Sequence, residues 1–293
     1  MTINKIIYPV LILTLLSSCK VKDLRTEFAK ETTLELSEKR GRDLLERTYL
    51  KMGYNHMENV TTYEAKSYFD WKWPWSWMPM NALPGNKGNT IKFKFVTKTF
   101  DGSVEYLEGR KTGNIYGLQS WQSYEIKKDK PLKKVKGKRR KWGLATYHYI
   151  TELPIRIRDA EIVKYAGEKE FEGQHYDLVF ATWGEEKPHD EHDQYLIYIN
   201  KESGMIDLVE LTVNDFFLPM PNNMKDATVR IERSETFIGT YLPEMVYIQL
   251  GQPKKKSKHV YKYSMFDYQF DHFPEELLYP IEDLEKVGDS KEQ

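Results

Sequence analysis

The stretch 175–215 constrains the fold more than any other part of the chain. It reads as three consecutive strands, 175–183, 194–200 and 205–214. Between the second and third lies Asn200-Lys201-Glu202-Ser203-Gly204, a hairpin turn with Gly204 where the backbone needs a positive φ. In the first strand Tyr176, Leu178 and Phe180 point one way, and Asp177, Val179 and Ala181 the other. In the second, Tyr195, Ile197 and Ile199 oppose Leu196 and Tyr198. In the third, Met205, Val209, Leu211 and Val213 oppose Ile206, Leu208 and Glu210. Neither face is cleanly polar, whereas a sheet with one solvated face alternates more strictly. Something apolar therefore covers both faces in places: a helix, a curved second half of the sheet, or a ligand.

The N-terminus reads as a targeting segment rather than as part of the fold. Lys5 supplies charge, residues 6–16 an apolar run, and Leu15-Leu16-Ser17-Ser18-Cys19 resembles a bacterial lipobox. The apolar run is about a dozen residues, short of the roughly 20 that a membrane-spanning helix needs. Residues 1–19 are thus expected to be a lipoprotein signal peptide, with Cys19 lipidated and anchoring the protein to a membrane. Cys19 is the only cysteine, so no disulfide framework exists. Lys20 follows it, and the absence of Asp there favours the outer membrane, facing periplasm or surface. Residues 20–36 read as a polar tether.

Lys+Arg and Asp+Glu both number 44, so no global charge argues for nucleic acid as a partner. Aromatic content of 14%, with 20 tyrosines and 7 tryptophans, suits a β protein with an aromatic interior. Residues 37–52 form a helix, with Ser37 as cap, Leu44, Leu45, Thr48, Tyr49 and Met52 as its apolar stripe, and Gly53 ending it. Strands are expected over 59–70, 90–100, 104–109, 114–119, 120–127, 227–238, 241–249 and 259–270. Residues 142–156 read as either helix or strand, the spacing of Tyr147, Ile150 and Leu153 favouring a helix packed across the sheet, with Pro154 ending the element. The whole gives about ten to twelve strands in hairpin order, an antiparallel meander in one domain over 37–280. Residues 281–293 form an acidic tail expected to fray.

Two segments stand apart. Trp71, Trp73, Trp75 and Trp77 alternate, so in an extended chain they face one side, and Pro74 and Pro79 argue for an edge or loop. This segment reads as a plug of the core, as an apolar lid on a cavity or a dip into a lipid interface, or as a sugar-binding platform. Residues 127–141 are strongly basic and read as a solvated hairpin loop, with attraction to anionic headgroups as the alternative.

The chain has no phosphate-binding glycine loop, no G-x-S-x-G and no H-E-x-x-H, and lipidation takes the only thiol. Pro188-His189-Asp190-Glu191-His192-Asp193 is the best metal candidate. His189 and His192 would ligate zinc or a similar ion, with His175 as one further ligand; a charged loop facing water is the alternative. Asp177, Asp207, Glu210 and Asp215 carry no mark of catalysis.

Three turn motifs extend the argument: Gly173-Gln174-His175-Tyr176-Asp177-Leu178, Tyr198-Ile199-Asn200-Lys201-Glu202-Ser203-Gly204-Met205-Ile206 and Gly239-Thr240-Tyr241-Leu242-Pro243. Following a lipobox and a short amphipathic helix, this order resembles the LolA/LolB-like lipoprotein-carrier superfamily. The 188–195 stretch also resembles a group of bacterial outer-membrane lipoproteins. The resemblance implies a mainly β fold with a few helices, a large curved antiparallel meander left as an unclosed half-barrel, and helices packed on its concave side. It implies an apolar cavity for a hydrophobic or amphiphilic ligand (a lipid or an acylated protein), with no cofactor and no catalytic step. The expected contacts are Trp73, Trp75, Trp77, Phe93, Phe95, Tyr176, Phe180 and Tyr198. The tryptophan-proline segment and the basic stretch are not part of the common pattern. The alternatives are a metal-binding enzyme or sensor around His189 and His192, and an interaction lipoprotein that holds another envelope protein through its aromatic segment.

Overall fold

Alternating apolar residues build one sheet from end to end of the folded chain. A computed structural model describes residues 22–25, 33–77, 81–83, 85–189, 191–214 and 225–288. The leader with Cys19, most of the tether, Met78 to Met80, Asp190, Asp215, the loop 216–224 and the last five residues lie outside the described residues, as does the side chain of Trp77.

Thirteen strands form the sheet: β1 Thr62–Trp71, β2 Thr90–Val96, β3 Gly102–Tyr106, β4 Ile115–Gln119, β5 Gln122–Ile126, β6 Lys133–Val135, β7 Ile162–Phe171, β8 Gln174–Thr182, β9 Tyr195–Asn200, β10 Ile206–Thr212, β11 Asp226–Glu235, β12 Tyr241–Leu250 and β13 Tyr261–Phe270. Their spatial order is β6-β5-β4-β3-β2-β1-β13-β12-β11-β10-β9-β8-β7. Every neighbouring pair is antiparallel. The chain walks outward from β1 to one edge, crosses over, and walks back from β7 until β13 closes on β1. The edges β6 and β7 do not pair, so the sheet is an unclosed half-barrel.

The crossover is helical: α2 Lys138–Thr151 and α3 Leu153–Arg158, preceded in the chain by α1 Leu34–Lys51. Tyr147 on α2 meets Phe69 of β1, Phe93 of β2 and Tyr263 of β13 at ring distances of 5.3, 5.4 and 5.3 Å. The helix therefore lies in the concavity. Phe69, Phe93, Phe95 and Tyr263 are fully buried there, each ring contributing about 1.5–3 kcal/mol on burial. A second cluster, including Tyr176, Leu178, Phe180, Leu196, Tyr198 and Leu208, occupies the opposite face of the sheet. The two-sided apolar pattern of 175–215 is explained by these two clusters.

Several local expectations shift. Helix α1 starts one turn early: Thr33 caps it, its hydroxyl accepting from Leu36 N, and Ser37 inside the helix donates to Tyr165 O instead. Pro154 opens α3 rather than ending a helix, because an N-terminal turn needs no N–H from it. The basic stretch is not a single loop. It holds the edge strand β6, with Lys133 and Lys134 exposed, and the first turn of α2; lysines on an edge discourage pairing with another chain. A register shift between Ile206 and Leu208 turns Ile206 toward the concave core and leaves Leu208 on the other face. The tail is held at its start, where Gln119 donates to Ile281 O and accepts from Ile281 N. Gly204 does adopt a positive φ of 71°, and Asn200 Oδ1 accepts from the Glu202 and Ser203 amides.

Gly41 brings α1 onto the backbone of β7. A Cβ there would stand 2.9 Å from Lys164 C and 2.9 Å from Tyr165 N, both backbone atoms that cannot yield. Gly41→Ala gains up to about 1 kcal/mol of helix propensity, yet overpacking costs about 1–3 kcal/mol. The expected result is net destabilisation in a denaturant titration; a more stable variant would show that α1 is free to lift from β7.

Candidate functional site

Helix α2 does not fill the half-barrel. Between it and strands β9 to β12 lies a cavity of about 560 Å³, within the roughly 300–1,000 Å³ typical of small-molecule sites. Trp142 and Tyr149 line it from the helix; Tyr195, Leu211, Val229 and Ile248 line it from four successive strands. Period-two alternation puts these strand residues on the concave side, and their registers, Leu211 opposite Tyr195 and Val229 opposite Ile248, align them into one wall. Of the titratable lining groups, Asp159, Glu161, His192, Asp193 and Asp226 gather where β7, β9 and β11 begin, and Asp159 and Glu161 are exposed there. That rim is the mouth; the interior behind it is mainly aromatic and aliphatic, with Arg156 on its buried side.

A buried ionic cluster closes one side. His148, Glu152 and Arg156 recur every four residues across α2 and α3, so they share a face. His148 Nε2 lies 3.0 Å from Glu152 Oε1, and Arg156 Nη2 donates to Glu152 Oε2 at 3.0 Å. Lys98 N also donates to this carboxylate, at 3.1 Å, and Arg156 donates to Thr99 O. His148 stacks on Phe95 at 4.2 Å, and the Arg156 guanidinium lies 4.3 Å over Phe100. Burial acts to raise the Glu152 carboxyl, but the charges of His148 and Arg156 and the hydrogen bonds outweigh it and hold the group below its usual value. Arg156 also reaches the cavity wall, so this cluster ties the binding surface to the helical crossover.

The expected contacts are distributed differently. Phe93 and Phe95 are packed beneath α2 in the filled part of the core. Tyr176, Phe180 and Tyr198 lie on the far face of the sheet, where strand alternation turns them away from the concavity. Trp75 packs partly against the core, while Trp73 is exposed. Trp71 and Trp73 do not share a face because β1 ends at Trp71 and a 3₁₀ turn spans Trp75–Trp77. Of the named histidines, His192 stands at the cavity mouth with His189 beside it, their rings 5.3 Å apart. His175 sits at the start of β8, whereas this loop follows the end of β8, roughly 25 Å away along the strand. Among the described residues no group of three or more His, Cys, Asp or Glu is placed to hold a metal ion. The lining tryptophans that sequence reasoning passed over, Trp121, Trp142 and Trp183, fall in a turn, a helix and a strand end. The His-x-x-x-Glu-x-x-x-Arg spacing was the one readable signal for the ionic cluster.

An open antiparallel half-barrel, crossed by a helix and holding an apolar cavity, defines the class of fold. A DUF1329 family protein from Desulfovibrio piger shares it with a TM-score of 0.50 and 10% identity, over 83% of this chain and 97% of that one. A LolA superfamily protein from Nitrosomonas europaea superposes with a TM-score of 0.49 and 10% identity, over 81% of this chain and 96% of that one. No family model and no curated protein matches the chain.

Proposed function

We propose that this is a lipid-anchored protein of the cell envelope that binds or passes on a hydrophobic or amphiphilic ligand such as a lipid or an acylated protein. The observation that carries this reading is the cavity of about 560 Å³ with a mainly aromatic and aliphatic wall, its carboxylates gathered at the mouth and the Arg156 guanidinium on its buried side. An acyl chain entering it exchanges water for apolar contact at about 0.8 kcal/mol per methylene, while a polar head stays at the rim. No catalytic step is part of this reading. The membrane attachment is Cys19, expected at the outer membrane.

Native mass spectrometry of the full chain, purified in mild detergent and released in the gas phase, tests the ligand. The expected result is a co-purifying mass in the lipid range, additional to the anchor. A protein mass carrying the anchor alone, with no uptake of added phospholipid or fatty acid, would remove the carrier reading.

A further inference from the structure

Lys22 lies three residues beyond Cys19 in the chain and sits at the cavity rim. Lys22 Nζ pairs with Asp226 Oδ2 at 3.1 Å, and Asp226 is both the first residue of β11 and part of the cavity lining. Leu24 is buried, and its N–H donates to the Gln194 side chain at 2.8 Å, immediately before β9. An ion pair, an amide hydrogen bond and a buried leucine together strap the N-terminal segment to this rim. Three residues span at most about 11 Å, so an acyl anchor on Cys19 holds the rim within that distance of the bilayer surface.

The same rim carries a second feature of matching chemistry. Moving from β11 strand by strand, Leu250 ends β12, Tyr261 begins β13, and Trp71 ends β1, paired with Tyr261. Just beyond Trp71, Trp73 is 79% exposed. Lys72 fixes this segment to the β12–β13 loop, its N–H donating to Val260 O at 3.0 Å and its Nζ to Ser257 O at 2.5 Å. That loop exposes Lys254, Lys255, Lys256 and Lys258. Lys256 is paired with Glu232, but Lys255 and Lys258 have no carboxylate partner among the described residues. An exposed indole flanked by lysines suits the headgroup layer of an anionic bilayer: the ring buries at the interface, and the charges act within a Debye length of about 10 Å.

We infer that the cavity rim is a membrane-docking face, fixed against an anionic bilayer by the Lys22–Leu24 strap on one side and by Trp73 with the β12–β13 lysines on the other. The mouth then opens toward the membrane that carries the anchor, so an amphiphile passes between bilayer and cavity without crossing water. This rests on the reading of Cys19 as the lipid attachment site.

The test uses the full-length lipidated protein on vesicles of phosphatidylethanolamine and phosphatidylglycerol with brominated acyl chains, read by tryptophan fluorescence and by flotation. Bromine quenching is expected in the wild type, with most of it lost in Trp73→Phe and much of it lost when phosphatidylcholine replaces the anionic lipid. Leu24→Asp frees the strap and is expected to reduce the quenching while flotation persists. Flotation with equal quenching in wild type and Trp73→Phe, or undiminished quenching in Leu24→Asp, would overturn the docking face and leave the carrier reading intact. Failure of the wild type to float would instead remove the anchor, and this inference with it.

Discussion

Glu152→Ala is expected to destabilise the protein by about 3–5 kcal/mol, the usual cost of removing one partner from a buried ion pair. The carboxylate is fully buried and serves His148, Arg156 and the Lys98 amide at once. Its loss strands a guanidinium in a site walled by Phe100 and Tyr149. Chemical denaturation measures the change, and a loss below about 1 kcal/mol, typical of an exposed pair, would mean that water reaches the cluster. The pH dependence follows from the direction of the shift. The Glu152 carboxyl is held below its ordinary value of 4.5, so its contribution is complete above that value and is lost as the pH falls through the lower folded one. The stability gap between wild type and Glu152→Gln should therefore narrow on acidification below pH 4.5. A gap that stays constant through that range would show that the folded state does not hold the Glu152 carboxyl below its unfolded value.

Leu211→Trp is expected to abolish most ligand binding while the fold survives. Leu211 faces the cavity and is only partly buried, so the larger ring can extend into open volume instead of forcing the core apart. Displacing three or four methylenes of an acyl chain, at about 0.8 kcal/mol each, costs about 2–3 kcal/mol, or roughly a hundredfold in affinity. Binding of a fluorescent long-chain fatty acid measures this, with circular dichroism as the control on folding. Undiminished binding by a folded variant would place the ligand elsewhere than in this cavity. The Trp73→Phe variant of the docking face serves as a contrast, since its ring lies outside the cavity and should leave affinity for the free fatty acid unchanged.

The alternation of Tyr176, Leu178 and Phe180 against Val179 and Ala181 was enough to place β8 and to show that both faces of the sheet are covered. Turn chemistry at Asn200 to Gly204 likewise placed the β9–β10 hairpin, because these signals come from residues a few positions apart. The spacing in 142–156 also indicated a helix across the sheet. What local spacing does not carry is which apolar surface stays unfilled. Phe93 and Leu211 read alike, as inward residues of a strand, but α2 packs on one and stands away from the other. Trp73, Trp75 and Tyr198 read as candidates for a cavity wall, and the 3₁₀ turn and the strand alternation direct them elsewhere.

The sequence by itself determined most of the strands, the hairpin pairings between neighbours and the two-sided apolar sheet, since each depends on side-chain period and turn residues within about ten positions; the edge strand β6 and the pairing of β13 with β1 came only with the tertiary structure. Only the tertiary structure decided where the cavity lies and what stands on its rim. A void is the volume left between elements distant in the chain: Trp142 on the crossover helix, Val229 on β11 and Ile248 on β12 bound the same space. The strap works the same way, because Lys22 and Asp226 meet only when the sheet has curled enough to bring the N-terminal segment to its mouth.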